Sequence, residues 1–137
     1  MDDALRDMLI RHEGKRLLPY VDTVGKLTIG VGRNLTDVGI SDEEAEEMLA
    51  NDAARALANL MAALPNIEVH DWSQNRLNAL TDMMFNLGPG HFAQFQHMIA
   101  AINAGDWAEA AKQMRDSLWA QQVGSRATEL ADLVENG

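Results

Sequence analysis

Glu13, Asp22 and Thr28 are the residues whose types and spacing can do chemistry together. Glu13 closes an apolar-periodic run (Leu5, Met8, Leu9) and precedes Gly14, a helix-stop residue. Asp22 follows Pro19-Tyr20-Val21 and precedes Gly25, the pattern of a strand entering a hairpin turn. Thr28 then falls on the return strand, between Leu27 and Ile29. A helix end leading into a small hairpin can bring an acid, a base and a hydroxyl to one cleft. Hydrolysis of a glycosidic bond needs that set: a carboxylic acid to protonate the leaving oxygen and a carboxylate across the bond. Spacing alone is a weak signal, because a glutamate at a helix end and an aspartate near a turn are usually solvated.

The elements that must position these residues are legible as local patterns. Asp2 and Asp3 start a helix to about Glu13, with acidic groups suited to the dipole of a first turn. A sheet lobe of two or three strands covers about 14–40, with Gly25, Gly30 and Gly32 at turns or close approaches. Gly30-Val31-Gly32 is not a dinucleotide loop, since Leu35 stands where a third glycine is needed. Ser41 and Glu44 form a capping-box pattern that opens one long helix over about 42–63, ended by Leu64-Pro65. At 1.5 Å per residue this helix spans roughly 30 Å.

A helical lobe over about 66–137 follows, and the N-terminal helix over 2–13 is expected to belong to it. Ser73 caps a helix carrying Leu77, Leu80, Met83, Met84 and Leu87, and Gly88-Pro89-Gly90 ends it. Shorter helices are expected near 92–104, 106–115 and 126–134, with Ser125 as the N-cap of the last. The predicted fold is α+β: a single domain over 1–137 in which a long helix joins a small sheet lobe to a mostly helical lobe.

Composition sets bounds on function. With 137 residues, 47% hydrophobic and 23% charged, the chain is a globular protein of one domain. It has no cysteine, which excludes disulfides and thiolate chemistry. A formal net charge of -10 argues against nucleic acid as partner. The charge is polarised: seven acids lie between Thr36 and Asp52, whereas Arg6, Arg11, Lys15, Arg16, Lys26 and Arg33 crowd the candidate site region. No apolar run reaches a membrane span and no leader pattern opens the chain, so the expectation is a product that starts in the cytoplasm. His12, His70, His91 and His97 lack metal-ligand spacing, and no metal or organic cofactor is expected. Trp107 and Trp119 read as core, and Trp72, beside Asp71 and Ser73, as a packing staple.

Several segments together carry a resemblance. Glu13-Gly14, Tyr20-Val21-Asp22-Thr23, Gly25 and Thr28-Ile29-Gly30-Val31-Gly32 resemble the signature of the phage-type lysozymes, muramidases related to T-even phage lysozyme. Met83-Met84-Phe85-Asn86-Leu87-Gly88, Trp107-Ala108-Glu109-Ala110-Ala111, Ser117-Leu118-Trp119 and then Gln122, Ser125, Arg126 and Ala127 resemble its later motifs in the same order. The resemblance implies that Glu13, Asp22 and Thr28 are the catalytic trio. It also implies that Arg126 reaches Glu13 through an ion pair or charge-assisted hydrogen bond. Such a pairing carries a tension, because a general acid must be protonated while a neighbouring arginine favours the carboxylate. Asn34, Phe85, Asn86 and Gln113 are the implied saccharide contacts, by position alone.

The implied activity is endo-hydrolysis of the β-1,4 bond between N-acetylmuramic acid and N-acetylglucosamine in peptidoglycan. The implied setting is a monomeric phage endolysin, held in the host cytoplasm until a holin releases it to the wall, with no membrane insertion. A muramidase part of a phage tail is an equally compatible setting. A non-catalytic, peptidoglycan-binding or structural protein of lysozyme-like form is the alternative. Two departures stand out: Arg33 occupies a position where a histidine is common, and the link from Leu35 to Ser41 is much shorter than in T-even lysozymes.

Overall fold

The computed structural model describes residues 1–67 and 72–137, so the expectations for His70 and Asp71 lie outside the described residues. Its elements are α1 (Asp3–Glu13), β1 (Arg16–Val21), β2 (Leu27–Gly30), β3 (Arg33–Asn34), α2 (Asp42–Ala63), α3 (Gln74–Phe92), α4 (Gln96–Asn103), α5 (Trp107–Arg115), α6 (Leu118–Val123) and α7 (Ser125–Asn136). This mostly helical chain with a small antiparallel sheet is the α+β, lysozyme-like class that the sequence predicts. The chain divides into two compact units, Met1–Met48 and Leu49–Gly137, with the boundary inside α2 and with α1 in the first unit.

In the first unit, helix ends are set by short-range bonds. The Asp2 carboxylate accepts the Leu5 N–H at 2.8 Å, and Gly14 ends α1 at φ 77°. Leu5, Met8 and Leu9 share the helical spacing of an apolar stripe but remain about two-fifths exposed, and α1 buries none of its residues. The sheet order is β1-β2-β3, with both pairs antiparallel. Pro19, which cannot donate to a ladder, is tolerated because β1 is an edge strand, and the pairing register breaks between Arg16 and Tyr20.

The Leu35–Ser41 link closes on itself. Asn34 accepts from the Asp37 N–H and donates to its carboxylate, both at 3.0 Å, and the Asn34 carbonyl accepts from Val38 and Gly39. The capping box then opens α2 as predicted: Glu44 N–H donates to Ser41 Oγ at 3.1 Å, and Ser41 N–H to Glu44 Oε1 at 3.0 Å.

Arg33 acts as a strut: its Nη1 donates to the Gly39 carbonyl at 3.1 Å and to Glu44 Oε1 at 2.8 Å. That bond from Arg33, followed by those of the Ser41 backbone and side chain, lowers the Glu44 carboxyl from its ordinary 4.5 to about 2. A carboxyl depressed on folding stabilises the native state above its unfolded pKa and loses that contribution as pH falls through the folded one. The advantage of wild type over Glu44→Gln in thermal midpoint is therefore expected to be complete near neutral pH. It should shrink as pH falls from about 4.5 and vanish near about 2. A gap unchanged between pH 6 and pH 2 would show that the strut contributes nothing through charge.

The hydrophobic core lies in the second unit. Leu60, Leu64, Leu80, Met83, Met84, Phe92, Met98, Ile102, Met114 and Val134 are fully buried there. Flexible methionines fill the irregular gaps between the helices. Ser73 caps α3 by accepting the Arg76 N–H at 3.1 Å. At Gly88, with φ 76° and ψ 166°, the helical path breaks where the sequence predicts its end, and Pro89 begins a further turn that runs to Phe92. Arg76 is buried and donates to the carbonyls of Val134 (2.8 Å) and Glu135 (3.1 Å), satisfying acceptors at the end of α7. The same guanidinium lies 4.5 Å above the Trp107 ring, which Trp72 meets edge-on at 5.1 Å. Trp119 is buried as expected.

Ser125 does not cap α7. Gly124, at φ 64°, is the single residue between α6 and α7, so the helix begins at Ser125 with no extended position for it to occupy. The sequence pattern does not predict the short helix α6. Its one local signal is Ser117, whose hydroxyl accepts the Ala120 N–H at 3.1 Å.

Candidate active site

The hairpin turn is built around Asp22. Its Oδ1 accepts the N–H groups of Val24 at 3.0 Å and Lys26 at 2.8 Å, an arrangement in which the side chain takes the place of a backbone acceptor. Both bonds fall on one carboxylate oxygen, and Oδ2 takes no part in them. The Lys26 carbonyl is the hub: it accepts the Asp22 N–H at 2.9 Å and the Thr28 hydroxyl at 3.0 Å. Thr28 is 4% exposed, although its apolar neighbour Leu27 on the same strand is open to solvent.

Register fixes which way these groups face. Tyr20 pairs with Thr28 and Val21 with Leu27, and the Asp22-to-Lys26 bond continues that ladder. Side chains alternate along a strand, so Asp22, Tyr20 and Thr28 share one face and Val21 and Leu27 the other. With its proton committed to the Lys26 carbonyl, the Thr28 oxygen has lone pairs with which to accept from a water.

Glu13 stands at the opposite end of the sheet. Its exposed side chain lies against Gly32, in the turn between β2 and β3. Arg16 at the start of β1 pairs with Gly30, whereas Asp22 is opposite Lys26. Gly30 and Lys26 are separated by roughly 13 Å of strand at about 3.3 Å per residue, with Thr28 midway. Arg16 stacks over the Tyr20 ring at 4.4 Å, and Lys26 pairs with Asp37 at 3.1 Å.

The other sequence-predicted residues do not all gather. Arg126 is engaged within the second unit: its Nε and Nη2 both donate to Asp82 Oδ1, at 2.8 and 2.7 Å. The sequence offers little to mark Asp82, a polar residue beside Thr81 and the apolar Met83-Met84 of α3. Asn86 accepts the Trp119 indole N–H at 2.8 Å, and Gln113 donates to Glu109 at 2.8 Å. Phe85, 45% exposed, lines a groove of about 340 Å³ with Arg55 and Asn59, whereas Gln113 lines a separate one of about 240 Å³. Asn34 is occupied by the turn that it closes. Among the described residues no group of side chains could hold a metal ion, and no helix is long and apolar enough to cross a membrane.

Comparison with known proteins matches residues 10–135 to the model of one family, phage lysozyme. The chain belongs to the phage lysozyme family. This membership supports a glycoside hydrolase of lysozyme type. Over 98% of its length the chain is 32% identical to the pre-baseplate central spike protein of Enterobacteria phage T4, and it spans only 28% of that protein. It is 28% identical, over its whole length, to 96% of the probable T4-type lysozyme 2 of Dictyostelium discoideum. The endolysin of Salmonella phage P22 is 31% identical over 62% of the chain and 61% of the endolysin. The match to the Dictyostelium protein runs over 165 positions against the 137 residues here, so the relative carries residues that this chain lacks.

Proposed function

We propose that this protein is an endo-acting muramidase that hydrolyses the β-1,4 bond between N-acetylmuramic acid and N-acetylglucosamine. Glu13 protonates the leaving oxygen. Asp22, through Oδ2, takes a proton from a water, and the Thr28 oxygen accepts that water's other hydrogen. The attacking lone pair is thereby directed at the anomeric carbon. The observation that carries this reading is the Lys26 carbonyl, which ties the Asp22 backbone and the Thr28 hydroxyl to one atom on one face of the hairpin.

Giving Asp22 and Thr28 to an attacking water makes the proposed reaction inverting. An inverting pair needs about 6.5–9.5 Å between its carboxyl groups, to admit the water, against about 5–5.5 Å for a covalent route through Asp22. Arg126 is assigned to the support of Glu13 by resemblance, with Asp82 as the partner that holds its guanidinium. Peptidoglycan glycan strands are the substrate, and the reaction requires no metal or organic cofactor.

Release to the wall as an endolysin is one setting. The likeness to a spike protein over nearly the whole chain favours a second, in which the same hydrolase serves a phage particle. The chemistry is tested by the products from peptidoglycan fragments. Reducing N-acetylmuramic acid ends, formed first as the inverted anomer in proton NMR, are expected. Anhydro-muramoyl ends would remove water from the mechanism, and a retained anomer would make Asp22 a nucleophile.

A further inference from the structure

Gly30 and Gly32 are two residues apart and share a left-handed backbone, with φ of 69° and 70°. Their surroundings differ in one respect. A Cβ built on Gly30 meets nothing within 4 Å, whereas one built on Gly32 would lie 3.0 Å from Glu13 Oε2, 3.3 Å from its Cδ and 3.4 Å from its Cβ. The Glu13 side chain therefore lies along the space that any other residue at position 32 would fill. Backbone conformation alone explains a glycine at both positions, since left-handed φ disfavours a side chain at either. It does not explain why only one of them is a seat for a carboxylate.

We propose that Gly32 is a positioning residue for the general acid: its bare Cα fixes where the Glu13 carboxylate stands relative to the scissile oxygen. This deepens the assignment of Glu13 made above and rests on it. A methyl group at position 32 pushes the carboxylate aside by several tenths of an ångström, because the end of a glutamate yields more readily than the backbone turn. Misplacement of a reacting group by about 1 Å can cost about 10²-fold in rate. A smaller shift is then expected to cost roughly tenfold.

The test pairs Gly32→Ala with Gly30→Ala, which carries the same backbone strain without the contact. On solubilised peptidoglycan fragments, Gly32→Ala is expected to lower kcat roughly tenfold below Gly30→Ala with KM unchanged. The Glu13 side-chain carboxyl carbon resonance, identified by its loss in Glu13→Gln, should move in Gly32→Ala and stay in place in Gly30→Ala. Should Gly32→Ala fail to fold, Gly32→Asn replaces it, since asparagine tolerates left-handed φ.

Equal kcat in the two variants overturns the proposal, whether or not the resonance moves. So does a resonance unmoved in the position-32 variant. A Glu13→Gln protein of wild-type rate would instead sink the acid assignment, while the resonance would still report whether Gly32 seats the side chain.

Discussion

Glu13→Gln is expected to abolish clearing of outer-membrane-permeabilised Gram-negative cells, with kcat down by roughly 10²–10⁴-fold. The amide keeps the size and the exposed position of the acid but has no proton to give to the leaving oxygen. Because Glu13 contributes no hydrogen bond to the hairpin and lies at the end of α1, little change in stability should accompany the loss. Retained binding to purified peptidoglycan with no clearing would confirm that chemistry, and not folding, was removed. Equal clearing by the two proteins would end the acid assignment. If neither protein clears cells while both bind the wall, the non-catalytic reading takes over.

A comparable loss is expected at Asp22, but there two substitutions must be compared. Asparagine keeps an oxygen where Oδ1 accepts from Val24 and Lys26, so Asp22→Asn should preserve the turn and lower kcat by roughly 10²–10⁴-fold. Asp22→Ala removes the same base and also strands those two N–H groups. Because both groups lie near solvent, it should unfold more readily by only about 0.5–1.5 kcal/mol for each bond lost, with no further loss of chemistry per folded molecule. Denaturant midpoints and rates corrected for folded fraction separate the effects. Should Asp22→Asn work at the wild-type rate, the aspartate would be a turn-former only, as its hydrogen bonds alone allow.

What the sequence by itself determined is the set of features made by residues close together along the chain. The Asp2 cap, the Ser41–Glu44 box, the Ser73 cap and the Asp22 turn each join groups two to four residues apart. Their geometry follows from local dihedrals, and residue type alone discloses them. Helix boundaries failed where such a signal was crowded out. Ser125 had the type of an N-cap, yet Gly124 took the only position between α6 and α7.

The family, too, was legible in Glu13, Asp22, Thr28 and the later motifs, and the match over residues 10–135 bears it out. What only the tertiary structure decided is who partners whom across long loops. Arg33 finds Glu44 and the Gly39 carbonyl, Arg126 finds Asp82, Trp119 finds Asn86, and Arg76 reaches the end of α7. Each of these donors would serve many acceptors equally well by type. The choice among them is made by packing that brings distant segments together, and it carries no signature in the residues between. Glu13 against Gly32 is the same case: a glycine two places after Gly30 looks like any turn glycine until the fold lays a carboxylate across it.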